Sequence, residues 1–83
     1  MKNESAYEFT VTTRYASCST NIARCNGFTA SSTNSCKVAA EKAAQKAFDA
    51  MCRSLCMEAN NYVRNSSELM RGAYLVTFTK KTQ

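Results

Sequence analysis

The stretch from Cys36 to Cys52 constrains the fold more than any other part of the chain. Cys36, Ala40, Ala43, Ala47 and Met51 recur at helical spacing, and Lys42, Gln45, Lys46, Asp49 and Arg53 group on the opposite side. This pattern is an amphipathic helix built from good helix formers. Its apolar stripe is mostly alanine, so the helix axis can lie very close to whatever it covers. Alanine lacks bulk, however, so the covered surface must bring large side chains of its own. Five consecutive capping candidates, Ser31 to Ser35, place the helix start there. Leu55 extends the stripe, so the helix is expected to reach 56–59.

Two segments can supply the missing bulk. In residues 7–15, Tyr7, Phe9, Val11, Thr13 and Tyr15 alternate with Glu8, Thr10, Thr12 and Arg14. In residues 73–80, Tyr74, Val76 and Phe78 alternate with Leu75, Thr77 and Thr79. Period-two alternation of β-formers reads as strands with one wet face. Residues 16–27 are small and polar, with turn signals at Thr20-Asn21 and Asn26-Gly27. They read as a loop or irregular hairpin whose return strand runs about 24–31, with Phe28 and Ala30 on its buried face. Asn60-Asn61 breaks the helix, Tyr62-Val63 begins a short extended piece, and Asn65-Ser66-Ser67 reads as a turn.

The expected architecture is α+β. A three-stranded antiparallel sheet carries one long Ala-rich helix on one face in the order β-β-α-β, with a short extra strand or a turn near 61–70. The whole chain, 1–83, forms a single small domain. Leu, Ile, Val and Phe make up only 12 of the 83 residues, so the core is thin. Either a monomer or a homodimer is compatible with such a core.

The residue inventory argues against catalysis. His is absent, which removes the commonest general base and metal ligand. There is no Gly-rich phosphate loop, nucleophile elbow or metalloprotease helix motif. Glu41 and Asp49 sit among lysines on the helix, where solvated pairs are the ordinary reading. Cys52 and Cys56 have C-x3-C spacing, but no His completes a zinc site. The five cysteines, Cys18, Cys25, Cys36, Cys52 and Cys56, are an awkward number for a closed disulfide set. They read as small hydrophobes, and a Cys18–Cys25 clip needs an oxidising setting. No enzyme activity, cofactor or metal is expected. The segment Met1 to Ser5 has no apolar stretch of the kind a secretion leader carries, so the cytoplasm is the expected location. No apolar run is long enough for a membrane span.

The net charge is +5, which favours acidic partners: nucleic acid, an anionic surface or an acidic protein face. The cations are spread out, so no basic arm forms. The candidate partner-binding residues are Arg14 and Arg24 near the hairpin, Lys42, Lys46 and Arg53 on the wet helix face, and Tyr62, Arg64 and Arg71 in the later connection. Arg and Tyr are the usual anchors of interfaces.

Two resemblances bear on the partner. Residues 35–48 are similar to the last helix of double-stranded RNA-binding domains, whose Lys-rich start meets phosphates while an alanine face packs on a three-stranded sheet. A single lysine, Lys37, stands where that family carries a basic pair, and a strand follows the helix. This resemblance implies a small basic double-stranded nucleic-acid-binding domain. The whole-chain layout resembles small phage-encoded type I anti-CRISPR inhibitors. It is carried by Tyr7 to Val11, by Phe28 to Ser32 running directly into Ala39 to Phe48, and by Tyr74 to Phe78. That resemblance implies a non-enzymatic inhibitor in the cytoplasm of an infected bacterial host. It would bind a subunit of a CRISPR–Cas effector and obstruct target-DNA recognition.

Overall fold

The computed structural model describes residues 6–14, 19–34, 36–70 and 72–81. Strands β1 (Ala6–Arg14), β2 (Thr20–Cys25) and β3 (Phe28–Thr33) precede helix α1 (Lys37–Leu55). A short 3-10 turn (Ala59–Asn61) then leads into β4 (Tyr62–Met70) and β5 (Ala73–Lys80). All five strands join one antiparallel sheet in the order β3-β2-β1-β5-β4. The α+β class and the single helix agree with the sequence reading. The strand count differs: among the described residues five strands stand where three were expected, with β4 in the place given to a short extra strand or a turn near 61–70.

The first correction lies in residues 20–33. Thr20 and Asn21 belong to β2 and are not a turn, and the return strand starts at Phe28. Asn26 (φ 50°) and Gly27 (φ 87°) form the two-residue connection between Cys25 and Phe28. Positive φ at both central residues matches the right-handed twist of the flanking strands, which is why Asn-Gly closes tight hairpins. Phe28 and Ala30 are half-buried against the core, as expected.

The second correction concerns the helix ends. Ser31 to Thr33 complete β3, and Cys36 occupies the N-cap position without a side-chain cap bond. The helix stops at Leu55, because Cys56 takes a left-handed conformation (φ 57°) that closes the last turn. The backbone N–H of Met57 donates to the Cys52 carbonyl at 2.8 Å. Leu55 is exposed, so the apolar stripe runs out at Cys52. Cys36, at the other end of the stripe, is exposed as well.

The third correction is β4. Residues 65–67 lie in the middle of a nine-residue strand, and the reversal to β5 passes through Gly72 (φ 76°). Asn65, Ser66 and Ser67 pair with Thr77, Val76 and Leu75. Their small polar side chains carry a turn signal, but the neighbouring β5 supplies the ladder that makes them extended.

The helix lies on one face of the sheet. Phe9, Val11, Ala23, Val76 and Phe78 point up from the sheet to meet Ala40, Ala43, Ala44, Ala47, Phe48 and Met51. The alanine stripe thus finds the aromatic floor it requires. Phe48 and Met51 are the large side chains α1 sends to the core, and Phe48 stacks on Phe78 with ring centroids 4.0 Å apart. Phe48 also meets Phe9 edge-on at 6.1 Å. Chiefly α1 covers β3 and β2, and it touches β4 only lightly. Two bonds fix it there: the Ser32 hydroxyl donates to the Ala39 carbonyl, and Lys46 Nζ donates to the Ser31 carbonyl at 2.7 Å.

Asn21 is the one fully buried polar residue among those described. Thr13 Oγ1 donates to its Oδ1 at 2.7 Å, and its amide donates to the Asn34 carbonyl. The Asn34 backbone N–H in turn donates to the Ser19 carbonyl at 3.0 Å. This network ties the corner between β3 and α1 to the middle of the sheet, so it sets the angle at which the helix leaves β3.

Candidate functional site

Three surfaces hold the residues singled out from the sequence. The sheet face away from α1 carries Arg14 and Arg24, both exposed. Their register shows why they share a face: Arg24 stands opposite Thr10 and Arg14 opposite Thr20. The neighbouring wet-face positions are mostly threonine and serine, including Thr12, Thr29, Ser31, Thr33 and Ser67. Ile22 and Leu75 are half-buried apolar residues on that face.

The second surface is the outer side of α1. Lys42, Lys46 and Arg53 are four and seven residues apart, which puts them within one stripe about 16 Å long. All three are exposed. Lys46 already donates to the Ser31 carbonyl, and Asp49 interrupts the stripe. The stripe is therefore cationic on the β3 side and mixed on the β4 side.

The third surface is a groove of about 480 Å³ between the second half of α1 and β4. It exists because α1 sits off-centre over β2 and β3. Its walls include Gln45 and Asp49 from the helix, Tyr62 and Arg64 from β4, and Lys81 after β5. Arg64 donates to Gln45 Oε1 at 2.9 Å and faces Glu41 at 3.9 Å. The Ser66 hydroxyl also donates to Glu41, and Gln45 donates to Asp49 Oδ1 at 3.0 Å. Tyr62 is half-buried and works as a floor residue, with its ring 5.2 Å from Phe48 and 5.9 Å from Tyr7.

The structure therefore divides the candidate residues. Lys42, Lys46 and Arg53 share one helix stripe, and Tyr62 and Arg64 share the groove. Arg14 and Arg24 lie on the opposite side of the sheet. Tyr62 and Arg64 belong to a regular strand and not to an irregular connection, because β5 pairs with them at Lys80 and Phe78. Arg71 lies outside the described residues, as do Tyr15, Cys18 and Ser35. Glu41, read as one half of a solvated pair on the helix, takes its partners from β4 instead. Nothing in the sequence signalled the Arg64–Gln45–Glu41–Ser66 set, since its members are 19 and 25 residues apart.

The thiols are placed by burial. Cys52 is buried beneath α1, and that burial pushes its pKa up, with Asp49 and Glu58 adding to the effect. A thiol held protonated in a core behaves as a small hydrophobe. Cys36 and Cys56 are exposed free thiols at opposite ends of the helix. Among the described residues no cluster of His, Cys, Asp and Glu is arranged to hold a metal ion. Among those residues no helix is long and apolar enough to cross a membrane.

No protein family, curated protein or solved structure matches the chain. Fold and surfaces define a small two-layer α+β domain whose side-chain chemistry is cationic, hydroxylic and amide in character.

Proposed function

We propose that the chain is a non-enzymatic inhibitor that binds a CRISPR–Cas effector subunit and obstructs target-DNA recognition. The supporting observation is the order of elements on one sheet. A tight hairpin runs directly into an alanine-faced helix, and two further strands return beside β1. This layout resembles the small type I anti-CRISPR inhibitors. It leaves the Lys42–Lys46–Arg53 stripe and the Arg14–Arg24 face as separate contact surfaces. An acidic protein face is the complementary partner of these cations. The cytoplasm of an infected bacterium is where such a partner resides.

A second reading, double-stranded nucleic acid, is favoured by one specific feature. Strands β1, β2 and β3 form an antiparallel meander leading into an alanine-faced helix that starts at Lys37. Lys37, Lys42 and Lys46 would then meet phosphates across a groove. Salt separates the two readings. Phosphate binding falls by several decades between about 50 and 200 mM salt when many contacts are made. In a mobility-shift series, no duplex DNA or RNA binding above about 100 mM salt, together with retained binding to an effector subunit, is the expected result. Tight duplex binding without any effector, abolished in a Lys37→Glu/Lys42→Glu/Lys46→Glu variant, would replace the first reading with the second.

A further inference from the structure

Among the described residues the sheet has two edges: β3, six residues long with Lys46 bonded to its Ser31 carbonyl, and β4, nine residues long with β5 as its one neighbouring strand. Long unprotected edges offer unpaired backbone donors and acceptors to another strand. Among the described residues, three of the five large apolar side chains that stand exposed are on β4: Val63, Leu69 and Met70. Val63 stands near one end of the strand and Leu69 and Met70 at the other, so an antiparallel second copy of the strand would bring the two ends together.

The sequence of β4 also selects a partner. In an antiparallel pair, directly opposite residues share a face of the sheet. Two copies of β4 related by a two-fold axis perpendicular to the sheet must therefore be centred on a residue. Centring on Arg64 or Glu68 sets two like charges against each other. Centring on Asn65 or Ser67 leaves both charges opposite neutral residues. Centring on Ser66 sets Arg64 of each copy opposite Glu68 of the other, twice over. The same register brings Asn65 to Ser67, also twice. Arg64 and Glu68 both lie on the helix side of the sheet, opposite Phe78 and Tyr74 of β5. Both are exposed; Arg64 bonds Gln45 and faces Glu41 at 3.9 Å within its own chain, whereas the Glu68 carboxylate has no hydrogen bond or ion pair among the described residues. The β-bulge between Glu68 and Met70 lies beyond the charged pair and so leaves the register around Ser66 intact.

We infer that β4 is a homodimer interface, through which two copies join edge to edge into one continuous ten-stranded antiparallel sheet centred on Ser66. The interface is isologous, and its backbone ladder supplies roughly one hydrogen bond per paired residue. Charge pairing fixes the register and suppresses competing ones. The thin core leaves each protomer a motive for such an association. The inference is independent of the identity of any inhibited target.

Charge reversal tests it. Sedimentation equilibrium of the full chain should give a dimer at micromolar concentration. Glu68→Arg places Arg64 opposite an arginine twice and should raise the dimer dissociation constant at least about tenfold. Arg64→Glu should do the same by setting two carboxylates opposite each other. An equimolar mixture of the two variants should restore a dimer, now a heterodimer, because every opposed pair is again complementary. Circular dichroism of each variant checks that the fold is retained; if Arg64→Glu unfolds, Arg64→Gln mixed with wild type replaces it and should weaken the dimer without abolishing it. A wild-type chain that stays monomeric at hundreds of micromolar overturns the inference. So do charge-reversed variants that dimerise as well as the wild type.

Discussion

Replacing Asn21 by aspartate keeps the shape of the side chain and changes its capacity to donate. Asn21 is fully buried, accepts from Thr13 Oγ1 and donates to the Asn34 carbonyl. In the Asn21→Asp variant a neutral carboxyl can reproduce both bonds, because its O–H donates to that carbonyl. An ionised carboxylate cannot donate, and it sets a buried negative charge against the oxygen of Asn34. The folded variant therefore holds this carboxyl protonated well above its unfolded pKa of about 3.9. Between the unfolded and folded values the native state binds more protons than the unfolded chain, so stability falls as pH rises. The slope is about 1.4 kcal/mol per pH unit. From pH 4 to pH 7 the loss reaches about 4 kcal/mol if the folded pKa exceeds 7. An 83-residue domain has about 4–12 kcal/mol in total, so the variant should be close to unfolding at neutral pH. Asn21→Ala is the control: it loses about 1–3 kcal/mol with no comparable pH dependence. Urea unfolding of wild type and both variants at pH 4 and 7 measures this. Equal destabilisation by the aspartate substitution at both pH values would refute the structural role given to the Asn21 network.

Other expectations concern the core and the thiols. Phe48→Ala should cost about 3–5 kcal/mol, read as a fall in the urea midpoint, because Phe48 is fully buried and packs on both Phe9 and Phe78. Cys56→Gly should stabilise by about 0.5–1 kcal/mol, since Cys56 sits at the left-handed position after the helix where glycine carries no side-chain penalty; lower stability would show that its side chain contributes a contact. In the native state at pH 8 a thiol reagent should label Cys36 and Cys56 and spare Cys52 until denaturant is added, as mass spectrometry can read. The raised Cys52 pKa also means that stability contributed by this site is present below the unfolded thiol value and declines as pH rises through it; Cys52→Ala should remove that decline.

How much of this could be read in the sequence depended on how each strand is covered. β1 and β5 form the floor under α1, so Phe9, Val11, Val76 and Phe78 alternate cleanly with polar residues. β4 lies beyond the helix. Its inward positions are Tyr62, Arg64, Ser66 and Glu68, which meet a wet groove and carry no apolar alternation. The strand exists because β5 offers it a ladder, a cause that no local pattern records. In β2 the buried position next to Ala23 is filled by Asn21, and the large aliphatic Ile22 points to the open face, so the hydrophobic signal is inverted. Asn26-Gly27 did mark the hairpin, and its two-residue length could have fixed both strand boundaries. Among the candidate site residues, the helix stripe followed directly from spacing. The place of Arg14 on the wet face of β1 followed from alternation, and that of Arg24 did not, because residues 16–27 carry no alternation that assigns it a face.

The proposed function has this domain act by covering another molecule and not by changing bonds. Titrating the purified chain into a fixed amount of a type I CRISPR–Cas effector complex with labelled target DNA tests it most directly. DNA binding should fall linearly to an end point set by a fixed molar ratio of chain to effector, with no further loss on longer incubation. Complete inactivation by a small fraction of an equivalent, deepening with time, would contradict it, and so would full DNA binding in the presence of a large excess of the chain.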